Sequence, residues 1–403
     1  MLVSLLLTFL LVGVRAQDCQ QDTNCSRPNC TCFSTESPLD PNFPPPFFPQ
    51  FVVLSFNDAV TVTNFPFYNE ILNTYKNPND CGISGTFFVN HLYLDYTLAN
   101  ELWRLGSEIG VRSVTATPDI SYWRQANYTT WKNEFSDMRD MLIKYAYIDE
   151  KDIIGTRVPY LELGGDEMFR ALSDGGYQYD SSWPSLIYTN WFGSPPKGAI
   201  FPYTLDFKSL QDCPIGECPV NVYPGFWETP VVDLQDFRGE ACAMIDACQS
   251  YNNETECPEQ ICEDNVFNFL LDNFKINYDN NKAPFGLHTH HSWFLLDELG
   301  DSNAHTNGYK RFLEHITTQY SDVWVISHSR LLEWMKNPAI APDIPSQPAF
   351  QCPTFLPPTT CPTPLMCDYN TNLPIPGLEE INMQICSRPC PPNYPWLGNV
   401  NGS

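Results

Sequence analysis

Three histidines in four residues, His288, His290 and His291, form the densest group of imidazoles in a chain that has seven histidines in all. On a strand, His288 and His290 point to one side and His291 to the other. Two imidazoles on one side, joined by a carboxylate such as Asp58, would suit a divalent cation or an acid–base pair. Other residues of catalytic type stand where apolar segments end: Asn57 and Asp58, Arg112, Arg157, Asp180 with Trp183, and Trp227 with Glu228. Each has a plainer reading alone. An Asp after a strand commonly caps a turn, an Arg can complete a structural ion pair, and a single Trp usually belongs to a core. Their recurrence after successive segments is the signal.

Those segments are the elements that must position them. Apolar runs predict strands at Phe51–Phe56, Gly85–Val89, Glu108–Val114, Ile153–Pro159, Tyr177–Ser182, Phe226–Val232, Phe285–His291 and Val323–Ser327. Trp131, Phe135, Met138, Leu142 and Tyr145 recur at helical spacing and predict a helix over 128–147. Further helices are expected around Leu98–Leu105, Glu167–Leu172, Phe267–Asn277, Tyr309–Tyr320 and Leu331–Met335. Strands that alternate with helices imply an α/β fold with a mostly parallel sheet, open or closed into a barrel. In such folds chemistry gathers at the carboxyl ends of the strands.

Composition narrows the partners. Acidic residues number 47 against 22 basic, a formal net charge of −25. That excludes nucleic acid and anionic membrane surfaces as partners and leaves neutral ligands, cationic ligands and divalent cations. Residues 1–16 read as a secretory signal, with an apolar run from Leu2 to Val14 and a small-x-small site before Gln17. No later stretch approaches membrane length. The sixteen cysteines fit disulfides in a secreted, extracellular protein. Cys19–Cys32 and Cys213–Cys262 are blocks that can each close internally. Cys81 stands alone, so it is expected to pair with one of the five tail cysteines from Cys352 to Cys390. Sequons occur at Asn24, Asn29, Asn127, Asn253 and Asn401. The reading divides the chain into a signal (1–16), a Cys/Pro-rich extension (17–50), a main domain (51–338) and a Cys/Pro-rich tail (339–403).

Taken in order, Ser-Phe-Asn-Asp-Ala-Val (55–60), Gly-Thr-Phe-Phe-Val (85–89), Glu-Ile-Gly-Val-Arg-Ser-Val-Thr (108–115), Gly-Thr-Arg-Val-Pro-Tyr (155–160), Tyr-Asp-Ser-Ser-Trp (179–183), Gly-Phe-Trp-Glu-Thr-Pro (225–230) and Ala-Pro-Phe-Gly-Leu-His-Thr-His (283–290) resemble the polysaccharide deacetylases of carbohydrate esterase family 4, and most closely the animal chitin deacetylases. The resemblance covers roughly 51–335. It implies a distorted (β/α) barrel and metal-assisted N-deacetylation of chitin. Carried over by position, it makes Asp58 a metal ligand and Arg157 the residue that orients the base. It makes His290 the general acid and sets Tyr160, Asp180, Trp183, Trp227 and His288 along the substrate groove. It also exposes departures. Asn57 stands where the family has its basic Asp, and Arg112 and Ala116 stand where it has two metal-binding histidines.

A hydrolytic zinc needs three protein ligands, and an amide is no base at neutral pH. The first reading is therefore an inactive deacetylase-like protein that binds chitin or a related polysaccharide in an extracellular matrix, without a cofactor. The second is an active deacetylase with a rearranged zinc site built from Asp58, His288 and His290. The third is an acidic matrix protein associated with cations or mineral. Under the first, Arg112 is expected to pair with Asp58 and fill the metal position.

Overall fold

A computed structural model describes residues 18–185, 199–250, 259–295, 303–353 and 361–403. The expected signal, the Asn253 sequon and Cys257 lie outside the described residues. Among the described residues nine strands form one sheet: β1 (Gln50–Asn57), β2 (Thr86–Asn90), β3 (Glu108–Ser113), β4 (Gly155–Thr156), β6 (Tyr179–Asp180), β7 (Tyr203–Leu205), β9 (Tyr223–Glu228), β12 (Phe285–His290) and β13 (Val323–Ile326). Three two-stranded pairs stand apart: β5 (Leu163–Gly164) with β8 (Gly216–Glu217), β10 (Leu234–Gln235) with β11 (Ala241–Cys242), and β14 (Leu365–Tyr369) with β15 (Ile381–Ile385). The helices are α1 (Phe65–Thr74), α2 (Tyr96–Arg104), α3 (Ile120–Arg124), α4 (Tyr128–Ala146), α5 (Gly165–Asp174), α6 (Glu259–Asp279), α7 (Ser292–Leu295), α8 (Ala304–Gln319) and α9 (His328–Lys336).

Every residue of β1 is buried, as a strand covered on both faces requires. It pairs with three other strands. β12 pairs in parallel along Val52–Asn57, while β13 takes Gln50–Val53 and β2 takes Ser55–Asn57. From β2 the ladder runs through β3, β4, β6 and β9 in parallel and ends on antiparallel β7. Val52, Leu54 and Phe56 face the helices, whereas Phe51 and Val53 pack inside with Phe88, Tyr179, Phe201, Trp227 and Ile326. The sheet and its helices thus enclose this apolar interior as a distorted (β/α) barrel. The interior is tight: a Cβ added at Gly155 would fall 2.0 Å from the Tyr179 ring, so only glycine fits there.

The expected helices are present. Asn127 caps α4 by accepting from the Thr130 N–H, and Trp131, Phe135, Met138, Leu142 and Tyr145 form its buried face. Two expected strands shrink to two residues each, β4 and β6, because the chain turns aside as soon as it has placed Arg157 and Ser181. The N-terminal extension carries Cys19–Cys32 and Cys25–Cys30 and lies along β7, with Thr204 N donating to Thr31 O at 2.9 Å. It therefore covers an edge that would otherwise be open.

The Cys/Pro-rich tail contains a regular β-hairpin. Leu365, Cys367 and Tyr369 alternate with exposed residues, as do Ile381, Met383 and Ile385, and the two segments pair as β14–β15. Proline on either side hides this period of two. Cys361–Cys386 and Cys367–Cys390 close the hairpin. Cys81 bonds Cys352, the expected link from main domain to tail, closing a loop of 271 residues. In the chain-entropy model that loop is worth up to about 5 kcal/mol. No helix among the described residues is long and apolar enough to cross a membrane.

Candidate functional site

Four of the candidate residues meet at the carboxyl end of the barrel. Asn57 ends β1 and lies in register with His290, the last residue of β12. Asn57 Nδ2 stands 3.4 Å from His290 Nε2. Asp58 leaves the strand with φ of 77°, a conformation that turns its carboxylate back over the barrel mouth. Arg112 arrives from β3, and its Nη1 is in direct contact with Asp58 Oδ1. Burial lowers the guanidinium pKa to about 10, against the raising influence of Tyr160 and Asp246, so the group stays cationic at neutral pH. Asp58 Oδ2 lies 4.0 Å from His290 Nε2.

The residue that completes the site is one the sequence reading missed. Asp246 sits on a 3-10 turn, Ile245–Ala247, inside the six-residue loop of Cys242–Cys248. Its Oδ2 lies 2.9 Å from His290 Nδ1, and its Oδ1 accepts the His290 backbone N–H at 3.0 Å. Burial pushes the Asp246 carboxyl up, but the bonds and charge of His290 outweigh this and leave its pKa lowered. The only sequence signal was the short Cys-x5-Cys spacing, which pins a tight loop without saying what it faces.

Arg157 lies one layer down, fully buried. Its Nε donates to Ser181 O at 2.7 Å, Nη2 to Ser181 Oγ at 2.8 Å, and Nη1 to Ser55 Oγ. Its guanidinium stacks 4.4 Å from the Phe88 ring. Burial lowers its pKa to about 9. His288 Nδ1 takes bonds from Ser55 Oγ at 2.7 Å and Arg157 Nη2 at 3.3 Å, so the ring proton sits on Nε2. Burial, then the charges of Arg157 and His328, hold the His288 pKa well below the ordinary value, and the ring is neutral.

The expected groove wall needs correction. Asp180, Trp183, Trp227 and His288 are buried, so none of them lines an open groove. Trp227 packs inside the barrel, and Trp183 packs toward α5 beside Phe169 with its Nε1 donating to Asp212 O. Asp180 accepts from Thr156 Oγ1 and Ser182 Oγ beside Glu228. Burial raises Asp180 to about 7 and holds Glu228 well above its ordinary value, with the Asp180 charge adding to the Glu228 shift. Of the groove residues only Tyr160, 42% exposed, faces solvent.

The positions implied for a metal do not fit one. Asp58 is engaged by a permanent cation, Arg112 cannot give up its proton, Ala116 has no donor, and Asn57 offers only an amide. The alternative set of Asp58, His288 and His290 is also not assembled. His288 lies a layer below with Nδ1 occupied, and these three do not bring donor atoms within 4.8 Å of one another. Among the described residues only Cys19, Cys25 and Cys30 do so, and all three are disulfide-bonded. What the mouth offers instead is a carboxylate–imidazole pair beside a guanidinium–carboxylate pair.

No protein-family model matches the chain. The chain is 32% identical to chitin deacetylase 8 of Bombyx mori over 407 aligned residues, covering all of this chain and 98% of that protein. It is 30% identical to chitin deacetylase 1 of Bombyx mori, over 96% of this chain and 69% of the relative. Among solved structures, the peptidoglycan deacetylase PdaC of Bacillus subtilis matches 74% of this chain and 94% of its own, at 12% identity and a TM-score of 0.38.

Proposed function

The chain belongs to the chitin deacetylases, and from that premise we propose that it is a secreted, catalytically inactive member that binds chitin or a related polysaccharide in an extracellular matrix. The observation that carries the inactive reading is the contact of Arg112 with Asp58, a permanent cation on the carboxylate that a metal would need. Metal-assisted hydrolysis requires a Lewis acid that lowers the pKa of water to about 7. A guanidinium offers hydrogen bonds but no open coordination position.

The backbone at the mouth supports retained binding. Asp58, Tyr93, Ala116 and Tyr160 follow β1, β2, β3 and β4 in turn, and all four have positive φ, at 77°, 64°, 44° and 60°. Such conformations cost on the order of 1–3 kcal/mol each and collect at functional sites. Tyr93, 57% exposed, and Tyr160 present rings at this end, where the C–H faces of a neutral sugar can pack on them. Seven disulfides among the described residues and the expected signal support secretion. The test is co-sedimentation of the full chain with chitin. The wild type should be retained, and the Tyr93→Ala/Tyr160→Ala pair should bind about tenfold more weakly, a loss of about 1.4 kcal/mol. A wild type that stays in solution, or acetate release abolished by His290→Ala, would overturn the reading.

A further inference from the structure

Arg330 is a cation without a counterpart. It lies in the first turn of α9, half-buried. Its guanidinium makes no hydrogen bond or ion pair with any described residue, whereas Arg104, Arg124, Arg139 and Arg170 each reach a carboxylate. Burial lowers its pKa. A desolvated charge is normally paired, and in a chain with 47 acidic residues a partner is not scarce.

The guanidinium borders a cavity of about 210 Å³ at the amino ends of β2 and β3, opposite the barrel mouth. The Cys81–Cys352 bond forms part of its wall. Lys76 adds a second cation, while Ile83, Leu105 and Pro353 supply an apolar side. Asp80 also lines the cavity but forms no ion pair with either cation. The α9 end cannot hold an anion itself, because the Ser329 N–H donates to Glu108 Oε2 at 2.8 Å and the His328 N–H to Thr86 Oγ1 at 3.0 Å. An anion here must be held by side chains.

We propose that this cavity binds a small organic carboxylate with a short apolar body. The carboxylate takes the planar fork of Arg330, which matches it in a bidentate pair. Lys76 adds long-range attraction, and the body packs on Ile83, Leu105 and Pro353. The site is separate from the barrel mouth, so it stands whether or not the mouth binds polysaccharide.

Benzoate and sulfate are the probes, titrated calorimetrically into the full chain. Benzoate should bind saturably, and sulfate, which lacks the apolar body, at least tenfold more weakly. Arg330→Met should weaken benzoate tenfold or more. Arg330→Lys keeps the charge and loses the fork, so it should fold as the wild type and still weaken benzoate severalfold, which decides the matter if the Met variant does not fold. No saturable benzoate binding, or unchanged affinity in either variant, overturns the site. Equal affinity for the two anions overturns the assigned ligand class.

Discussion

At Asp58 the family fold meets a charge of the wrong kind. The carboxylate is 48% exposed, so its pairing with Arg112 is only partly shielded from water. Pairs of that exposure contribute about 1 kcal/mol or less. Arg112 is only 11% exposed, so the variant must keep its buried stem: Arg112→Met should lower stability by no more than about 1 kcal/mol in a denaturant titration; a several-fold larger loss would mean that the pair holds the barrel mouth together. The position can also be reversed. Arg112→His with Ala116→His restores two ligands beside Asp58, and His is among the residues that tolerate the positive φ of position 116. Zinc should then bind with one-to-one stoichiometry, whereas Asn57→Asp alone should bind none. Deacetylation should need all three changes, because the base comes only from position 57. A folded double variant that takes up no zinc would contradict this diagnosis. The pairing of Arg112 with Asp58 was legible in the sequence because motif register sets both residues at the same end of one sheet, on β1 and β3 with only β2 between. Asp246 was not, since nothing in its neighbours says that its loop folds back onto His290.

At the scale of elements, one imidazole adds a pH-sensitive contact to the bonds that hold the tail to the barrel. His91 follows β2, and its Nε2 lies 2.8 Å from Pro395 O while its Nδ1 lies 2.6 Å from the Tyr96 hydroxyl. Its ring stacks on Tyr394 at 4.6 Å. Burial lowers its pKa to about 4, with the Pro395 bond opposing the shift. A folded pKa below the unfolded value of a histidine gives stability that is complete above about pH 6.5 and is lost as pH falls toward 4, in all about 3 kcal/mol. Asp180 has the opposite sign: its raised pKa gives stability that is lost as pH rises from about 4 to 7. A global melting curve mixes the two, but a local one does not. Amide exchange in β15, corrected for its intrinsic rate, should accelerate between pH 6.5 and 4 in the wild type and lose that dependence in His91→Gln. Exchange with the same pH profile in both would exclude the His91 clamp. Helices such as α4 were legible because a buried face recurs every three or four residues. The strands β4 and β6 were legible in place but not in length, because sheet pairing there rests on three registers and not on a run of side chains. The direction in which a chain leaves so short a strand decides whether Trp183 lines a groove or a core, and no local pattern encodes it.

For the whole molecule, the barrel, its edge-covering extension and its disulfide-linked tail form a scaffold that needs no metal to hold it, because most of its burial lies in the helix–sheet layer and the barrel interior. The order of motifs made that architecture readable over most of the chain. Net charge carried the expectation that polyanions are not partners, but it says nothing about Arg330, whose isolation appears only once the chain is folded. Native mass spectrometry of the full chain with zinc and a chitin oligomer tests the central claim most directly, because one spectrum reports metal, ligand and reaction. The account predicts a complex that carries the oligomer, with every acetyl group retained and no stoichiometric zinc. A zinc-bound complex that loses its metal on Asp58→Ala, or an oligomer that leaves with acetyl groups removed, would contradict it.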